Sequence, residues 1–213
     1  MTGKSEISRN RKDDKSLLFS SEALRKLIIP LIIEQILAVT VGMVDTMMVS
    51  SVGEAATSGV SLVDMINNLI INIFAAVATG GAVVASQYLG QKRREKACEA
   101  ADQLVLITAV ISAVIMVCAV LFRRGLLETI YHGIEPDVME NALTYLVISA
   151  VSYPFLAVYN SCAALFRAMG NSRISMQASI VMNVLNIIGD YLLVFVFPMG
   201  VAGAALATLV SRI

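Results

Sequence analysis

The sequence predicts an all-α membrane protein, a six-transmembrane-helix bundle cut within its sixth helix. Three observations predict it. Of the 213 residues, 57% are hydrophobic and 15% charged, with a mean hydropathy of +0.77, whereas soluble domains carry roughly 45–50% apolar and about 25% charged residues. The apolar residues gather in five runs, at 27–50, 65–89, 104–122, 143–166 and 174–197, each near the roughly 20 residues a helix needs to cross a hydrocarbon core. The runs lack strict alternation, and only helices or closed barrels satisfy the backbone in lipid.

Residues 1–26 precede the first run and form a polar arm bearing Lys4, Arg9, Arg11, Lys12, Lys15, Arg25 and Lys26. The arm has neither the apolar stretch nor the small-residue cleavage site of a signal peptide, and it reads as a disordered cytoplasmic segment. Residues 27–213 form the transmembrane lobe. Its sixth run starts at about Gly200 and reaches Arg212, about 14 residues where a span wants about 20, so the chain reads as a fragment or truncated product.

Basic residues set the topology by collecting in short cytoplasmic loops. Seven lie in the arm, four between runs two and three (Lys92, Arg93, Arg94, Lys96), and two between runs four and five (Arg167, Arg173). With Arg212 directed the same way, fourteen of sixteen favour one side; only Arg123 and Arg124 face them, among Glu128, Glu135 and Asp137. The N-terminus is therefore expected in the cytoplasm, in a plasma or prokaryotic inner membrane. Sixteen basic and sixteen acidic residues cancel, so net charge gives no footprint for nucleic acid. Cys98, Cys118 and Cys162 share no ligand spacing and read as small residues packed between helices. His132, beside Gly133 in an outer loop, reads as an ordinary loop residue.

Functional information lies in the polar groups within the runs, because a mid-bilayer carboxylate costs about 2.5–3.5 kcal/mol on the insertion scale. Glu34 and Asp45 in run one are eleven residues apart, which returns them to within about 20° of one face and separates them by about 16 Å along the axis. In run five Asn183, Asn186 and Asp190 fall at i, i+3 and i+7, a single face. Run two opens with Asp64, Asn67, Asn68 and Asn72. These either line a pore or bond helices together. Asp64 sits near the outer boundary in this reading, where water reaches it. Pro30 and Pro154 are candidates for helix kinks that free carbonyls toward a cavity. The Gly80-Gly81 pair and the run from Gly200 to Ala205 read as surfaces for close helix packing.

Asp45 and Asp190 raise the possibility of an intramembrane aspartyl protease. That chemistry uses a tyrosine-aspartate pair and a glycine-x-glycine-aspartate loop; here Val44 precedes Asp45, and Ile187-Ile188-Gly189-Asp190 lacks the first glycine. With no metal cluster, nucleophile elbow or phosphate loop either, the chain reads as no enzyme and as needing no cofactor.

Three segments carry a resemblance. They are Pro30 to Asp45 continued by Thr46-Met47-Met48-Val49, then Tyr159-Asn160-Ser161 leading to Leu165-Phe166-Arg167-Ala168-Met169-Gly170-Asn171-Ser172-Arg173, and Asn186-Ile187-Ile188-Gly189-Asp190 followed by Pro198-Met199-Gly200 through Thr208. In order and spacing they resemble the N-terminal half of MATE (multidrug and toxic compound extrusion) transporters, from about residue 22 to the end. The asparagine and aspartate four apart in helix five look like the archaeal and DinF-like branch. The resemblance implies the N-lobe of a twelve-helix protein, with a missing C-terminal lobe, exchanging Na⁺ or H⁺ for small cationic amphipathic drugs or metabolites. It places cation binding on Asp45, Asn186, Asp190 and Thr208, a bending proline at Pro30 and a polar pocket residue at Asn160. It assigns Glu34 nothing, so Glu34 and Asn183 stand as cavity or gating residues on physical grounds alone.

The four ligands are hard oxygen donors suited to a hard cation. Burial beside a second carboxylate disfavours the doubly ionised state, so proton binding is the other way to relieve the pair. A lipid-linked sugar flippase of the same superfamily is the alternative, although its phosphate calls for Arg or Lys in the cavity, which the runs lack. An inactive half-transporter fragment is the third reading.

Overall fold

The computed structural model describes residues 21–213, with side chains from Leu24 onward; most of the polar arm lies outside the described residues. Eight α-helices occur among them: α1 (Ser21–Ser50), α2 (Glu54–Gly90), α3 (Arg94–Leu121), α4 (Arg123–Ile130), α5 (Pro136–Val151), α6 (Tyr153–Ala168), α7 (Ser172–Asp190) and α8 (Gly200–Arg212). A π-helical turn, Tyr191–Val196, follows α7 directly. By length and composition α1, α2, α3 and α7 with its π turn are candidate membrane spans, and α5 and α6 together make a fifth, bent by 48°. The shorter apolar α8 stands where the sixth run was read.

α2 holds the core because its apolar residues recur at helical spacing on the face that meets α5 and α6. Val60, Val63, Ile66, Ile70 and Phe74 are buried there with Leu146, Tyr153 and Ala157. Glycine sets the closest approach: a Cβ on Gly59 would meet the Ala142 nitrogen and the Val138 oxygen at 2.9 Å, both backbone atoms of α5. Gly81 does the same against Leu104 of α3, whereas Gly80 meets nothing within 4 Å, so half of the expected glycine pair packs.

Two boundaries differ from the sequence reading. The second span begins at Glu54, not at residue 65, because Ala56, Gly59, Val60 and Val63 pack on neighbours despite the polar residues between them. Asp64 therefore lies well inside a helix rather than at its mouth. Residues 123–130, read as loop, form the amphipathic helix α4, which buries Leu127 and leaves Arg123, Arg124 and Glu128 exposed. His132 is exposed just beyond it.

The fourth span breaks at Ser152, two residues before Pro154. A proline in the first turn removes one helical N–H and its ring crowds the carbonyl four residues back, so the chain restarts as a new helix. The Ser152 N–H and hydroxyl both donate to the Ser149 carbonyl, at 3.0 and 2.7 Å. Arg212 of α8 reaches the same point, its Nη1 donating to Ser152 Oγ at 2.8 Å. Arg212 is thus turned into the bundle at a broken helix, which corrects its place among the cytoplasmic charges; the basic bias is thirteen to two without it. The cysteines also depart from expectation: they are unpaired, but Cys98 and Cys118 lie exposed on the bundle surface rather than between helices.

Candidate cation site

α1 is covered along one stripe. Pro30 and Val41 are buried, Leu27, Glu34, Leu37, Val44, Asp45 and Met48 are half-buried, and the other residues between them are exposed. Steps of three and four keep this stripe on one face, so both acids of α1 look the same way, as their spacing required. α1 continues unbroken through buried Pro30. The proline's missing N–H is accommodated without a break in the helix.

The partner of this stripe is α7. Its buried residues are Ser172, Ser175, Ser179, Asn186 and Asp190, every one of them polar. This pattern extends the Asn186–Asp190 face back to the start of the helix. On its other side α7 lies against α8 at very close range, because Gly189 has no side chain: a Cβ there would stand 2.9 Å from Ala207 Cβ. The approach brings Thr208, next in the chain, to Asn186, whose Nδ2 donates to Thr208 Oγ1 at 3.3 Å.

Asp190 ends α7 and is only 1% exposed. Both of its carboxylate oxygens are buried with no hydrogen-bond partner, and so is Asp45 Oδ1. The two carboxyls lie within electrostatic reach of each other. The π turn opens immediately after Asp190, with the Phe197 N–H bonding the Leu192 carbonyl at 2.9 Å. Such wider turns are frequent at functional sites. This one is tied to α8 at Gly203, where a Cβ would meet the Leu193 carbonyl oxygen at 2.7 Å.

Buried polar atoms without partners are rare and cost about 1–3 kcal/mol each, more for ionised groups. Three such carboxylate oxygens beside an amide and a hydroxyl are a set that a cation or a shared proton would satisfy. The donors fit a hard monovalent cation, since all are oxygens and two carry charge.

The remaining candidates separate from this cluster. Asn183 turns to its own helix, donating to Ser179 Oγ at 3.3 Å. Asn160 keeps a buried amide nitrogen without a partner. Glu34 lies in a second polar cluster with Tyr159, Ser175 and Arg167. Asn68 and Asn72, which share one face of α2 with Asp64 at i+4 steps, are exposed, whereas Asn67, off that face, is buried and accepts the Tyr153 hydroxyl at 2.7 Å. For Asn67 the helix-bonding reading holds. Sequence reasoning missed Arg212, which lies within electrostatic reach of Asp45 and Asp64, and the serine stripe of α7, which continuing the i+3, i+4 count backward from Asn186 would have found.

The MatE family profile matches residues 30–192. The chain belongs to the MatE family. Among MatE relatives, it is 32% identical over 218 residues to the uncharacterized transporter YisQ of Bacillus subtilis, covering 93% of this chain and 46% of that protein. To a probable multidrug resistance protein NorM of Thermotoga maritima it is 30% identical over 196 residues, covering 89% and 41%. A solved MOP superfamily transporter from Pyrococcus furiosus has the same fold, with a TM-score of 0.84 at 23% identity over 89% of this chain and 42% of that one. The chain therefore spans less than half the length of these relatives.

Proposed function

We propose that this MatE chain is the N-terminal, cation-binding lobe of a twelve-helix multidrug antiporter that exchanges Na⁺ or H⁺ for cationic amphipathic compounds across a cell membrane. The orphaned Asp190 carboxylate carries the reading: it is buried between α7, α8 and α1 with no partner of its own, facing a second acid. Filling the site with a proton or a sodium ion removes the repulsion between Asp45 and Asp190. Occupancy then favours whichever arrangement of α1, α7 and α8 holds the acids together, and the drug site feels that preference as a reciprocal coupling energy. Sodium would take oxygens from Asp45, Asn186, Asp190 and Thr208. The multidrug name of the NorM relative supports the substrate class; the archaeal and DinF-like affinity rests on the Asn186 and Asp190 pair.

In vesicles of full-length protein, an imposed sodium or proton gradient is expected to drive accumulation of a fluorescent cationic drug. Accumulation under neither gradient, with transfer of a lipid-linked sugar instead, would replace this reading with the flippase. The 213-residue segment taken alone is expected to insert but not to accumulate drug, since alternating access needs a second body to rock against. Gradient-driven accumulation by the segment alone would overturn that expectation.

The lobe sits with its N-terminus in the cytoplasm, on the thirteen-to-two basic bias. Single cysteines replacing His132 and Asn171 in a cysteine-free background are expected to react with an impermeant reagent from outside and inside the cell, respectively. The opposite labelling would invert the topology.

A further inference from the structure

α1 faces a mechanical difficulty. Its contacts run along one stripe, chiefly against α7, while Ile28, Ile29, Ile32, Ile36, Met43 and Met47 are all exposed. Apolar contacts such as Leu37 and Val41 are non-directional, so they resist rotation of the helix about its axis only weakly. The cation site nevertheless needs Asp45 aimed at Asp190.

Glu34 supplies the directional contact. Its Oε1 accepts the Tyr159 hydroxyl of α6 at 3.1 Å and stands 3.6 Å from Arg167 Nη1, also of α6. Its Oε2 faces Ser175 Oγ of α7 at 3.4 Å. The single Tyr159 hydroxyl proton has an alternative acceptor on α7, the Ser175 carbonyl at 3.3 Å. One side chain of α1 therefore meets polar groups of two helices at once, and a carboxylate contacted at both oxygens has one favourable azimuth. Glu34 shares the covered stripe with Asp45, about three helical turns away. Over that distance a continuous helix transmits rotation.

We propose that Glu34 is a positioning residue for the cation site, fixing the rotation of α1 so that Asp45 faces Asp190. The proposal rests on the antiporter reading, but its first test does not. In full-length protein freed of native cysteines, Val49→Cys places a reporter on the buried stripe near the outer end of α1, where the native residue is 1% exposed. Adding Glu34→Ala is expected to raise the maleimide reaction rate at position 49 at least about fivefold, and Tyr159→Phe to raise it less. Glu34→Gln is expected to stay within about twofold, because the amide still accepts from Tyr159 and meets Ser175.

The second test uses vesicles. Glu34→Ala should raise the driving-ion concentration for half-maximal export at least about fivefold and leave the drug KM within about twofold, with Glu34→Gln close to wild type. Unchanged labelling and unchanged ion dependence in both Glu34→Ala and Tyr159→Phe would overturn the proposal. So would a Glu34→Gln protein as inactive as Asp190→Asn, which would make Glu34 a titrating group. If wild-type vesicles accumulate no drug, the antiporter reading fails on its own, and the labelling rates still decide whether Glu34 holds the helix. A Glu34→Ala protein that does not insert leaves the decision to Tyr159→Phe, whose ring keeps the packing.

Discussion

Asp190→Asn in the full-length transporter is expected to reduce gradient-driven drug accumulation at least about tenfold, about 1.4 kcal/mol of coupling, while membrane insertion and thermal stability stay at or above the wild-type level. The two effects are opposed for one physical reason. In the wild type the Asp190 carboxylate is buried without a hydrogen-bond partner and faces Asp45, so its ionised form is costly to hold and its occupied form is favoured. The amide has nearly the same shape and is permanently neutral. It therefore mimics the occupied site, removes the repulsion with Asp45, and leaves the ion with nothing to exchange. Asp45→Asn should act alike but less completely, since Asp45 is half-exposed and only its Oδ1 lacks a partner. A Tm lowered together with transport would point to a structural role for Asp190, and full accumulation by Asp190→Asn would take it out of the mechanism.

Those two aspartates were legible in the sequence because charge inside an apolar run is conspicuous and helical spacing assigns it a face. The runs themselves were legible for the same reason, from 27–50 to the short sixth. Less visible was everything that depends on small polar residues. Ser172, Ser175 and Ser179 interrupt hydropathy only slightly, yet they make the buried side of α7 polar from end to end. The start of α2 was misplaced because Ser58, Gly59 and Ser61 lower hydropathy without weakening a helix whose glycine packs on the backbone of α5. Arg212 was read as a topology signal, although its partner Ser152 lies 60 positions earlier in sequence and is brought to it by the break before Pro154. Pro154 breaks its span and Pro30 does not, which sequence alone does not distinguish: Pro154 falls in the first turn of a restarted helix, while Pro30 lies buried inside the continuous α1.

The second large effect is expected at a residue with no chemistry. Gly189→Ala adds a methyl where α7 and α8 pack closely beside the proposed cation site, and its carbon would stand 2.9 Å from Ala207 Cβ and 3.3 Å from Ala207 Cα. Neither neighbour is the end of a flexible side chain, so the helices have to part. Overpacking of this kind costs about 1–3 kcal/mol. The separation falls between Asn186 and Thr208, whose hydrogen bond at 3.3 Å is already long, so ion-driven export is expected to fall more steeply than expression. The same geometry supplies the rescue. Ala207→Gly removes the opposing methyl, and the double variant Gly189→Ala with Ala207→Gly exchanges the methyl from one helix to the other without changing the volume at the contact. Thermal unfolding and ion-driven accumulation of the two single variants and the double variant test this as a mutant cycle. The double variant should recover most of the loss seen in Gly189→Ala, with a coupling energy of about 1 kcal/mol or more. Additive losses would mean that α7 and α8 do not meet at these two residues, and Thr208 would then have no structural claim to a place beside Asn186 and Asp190.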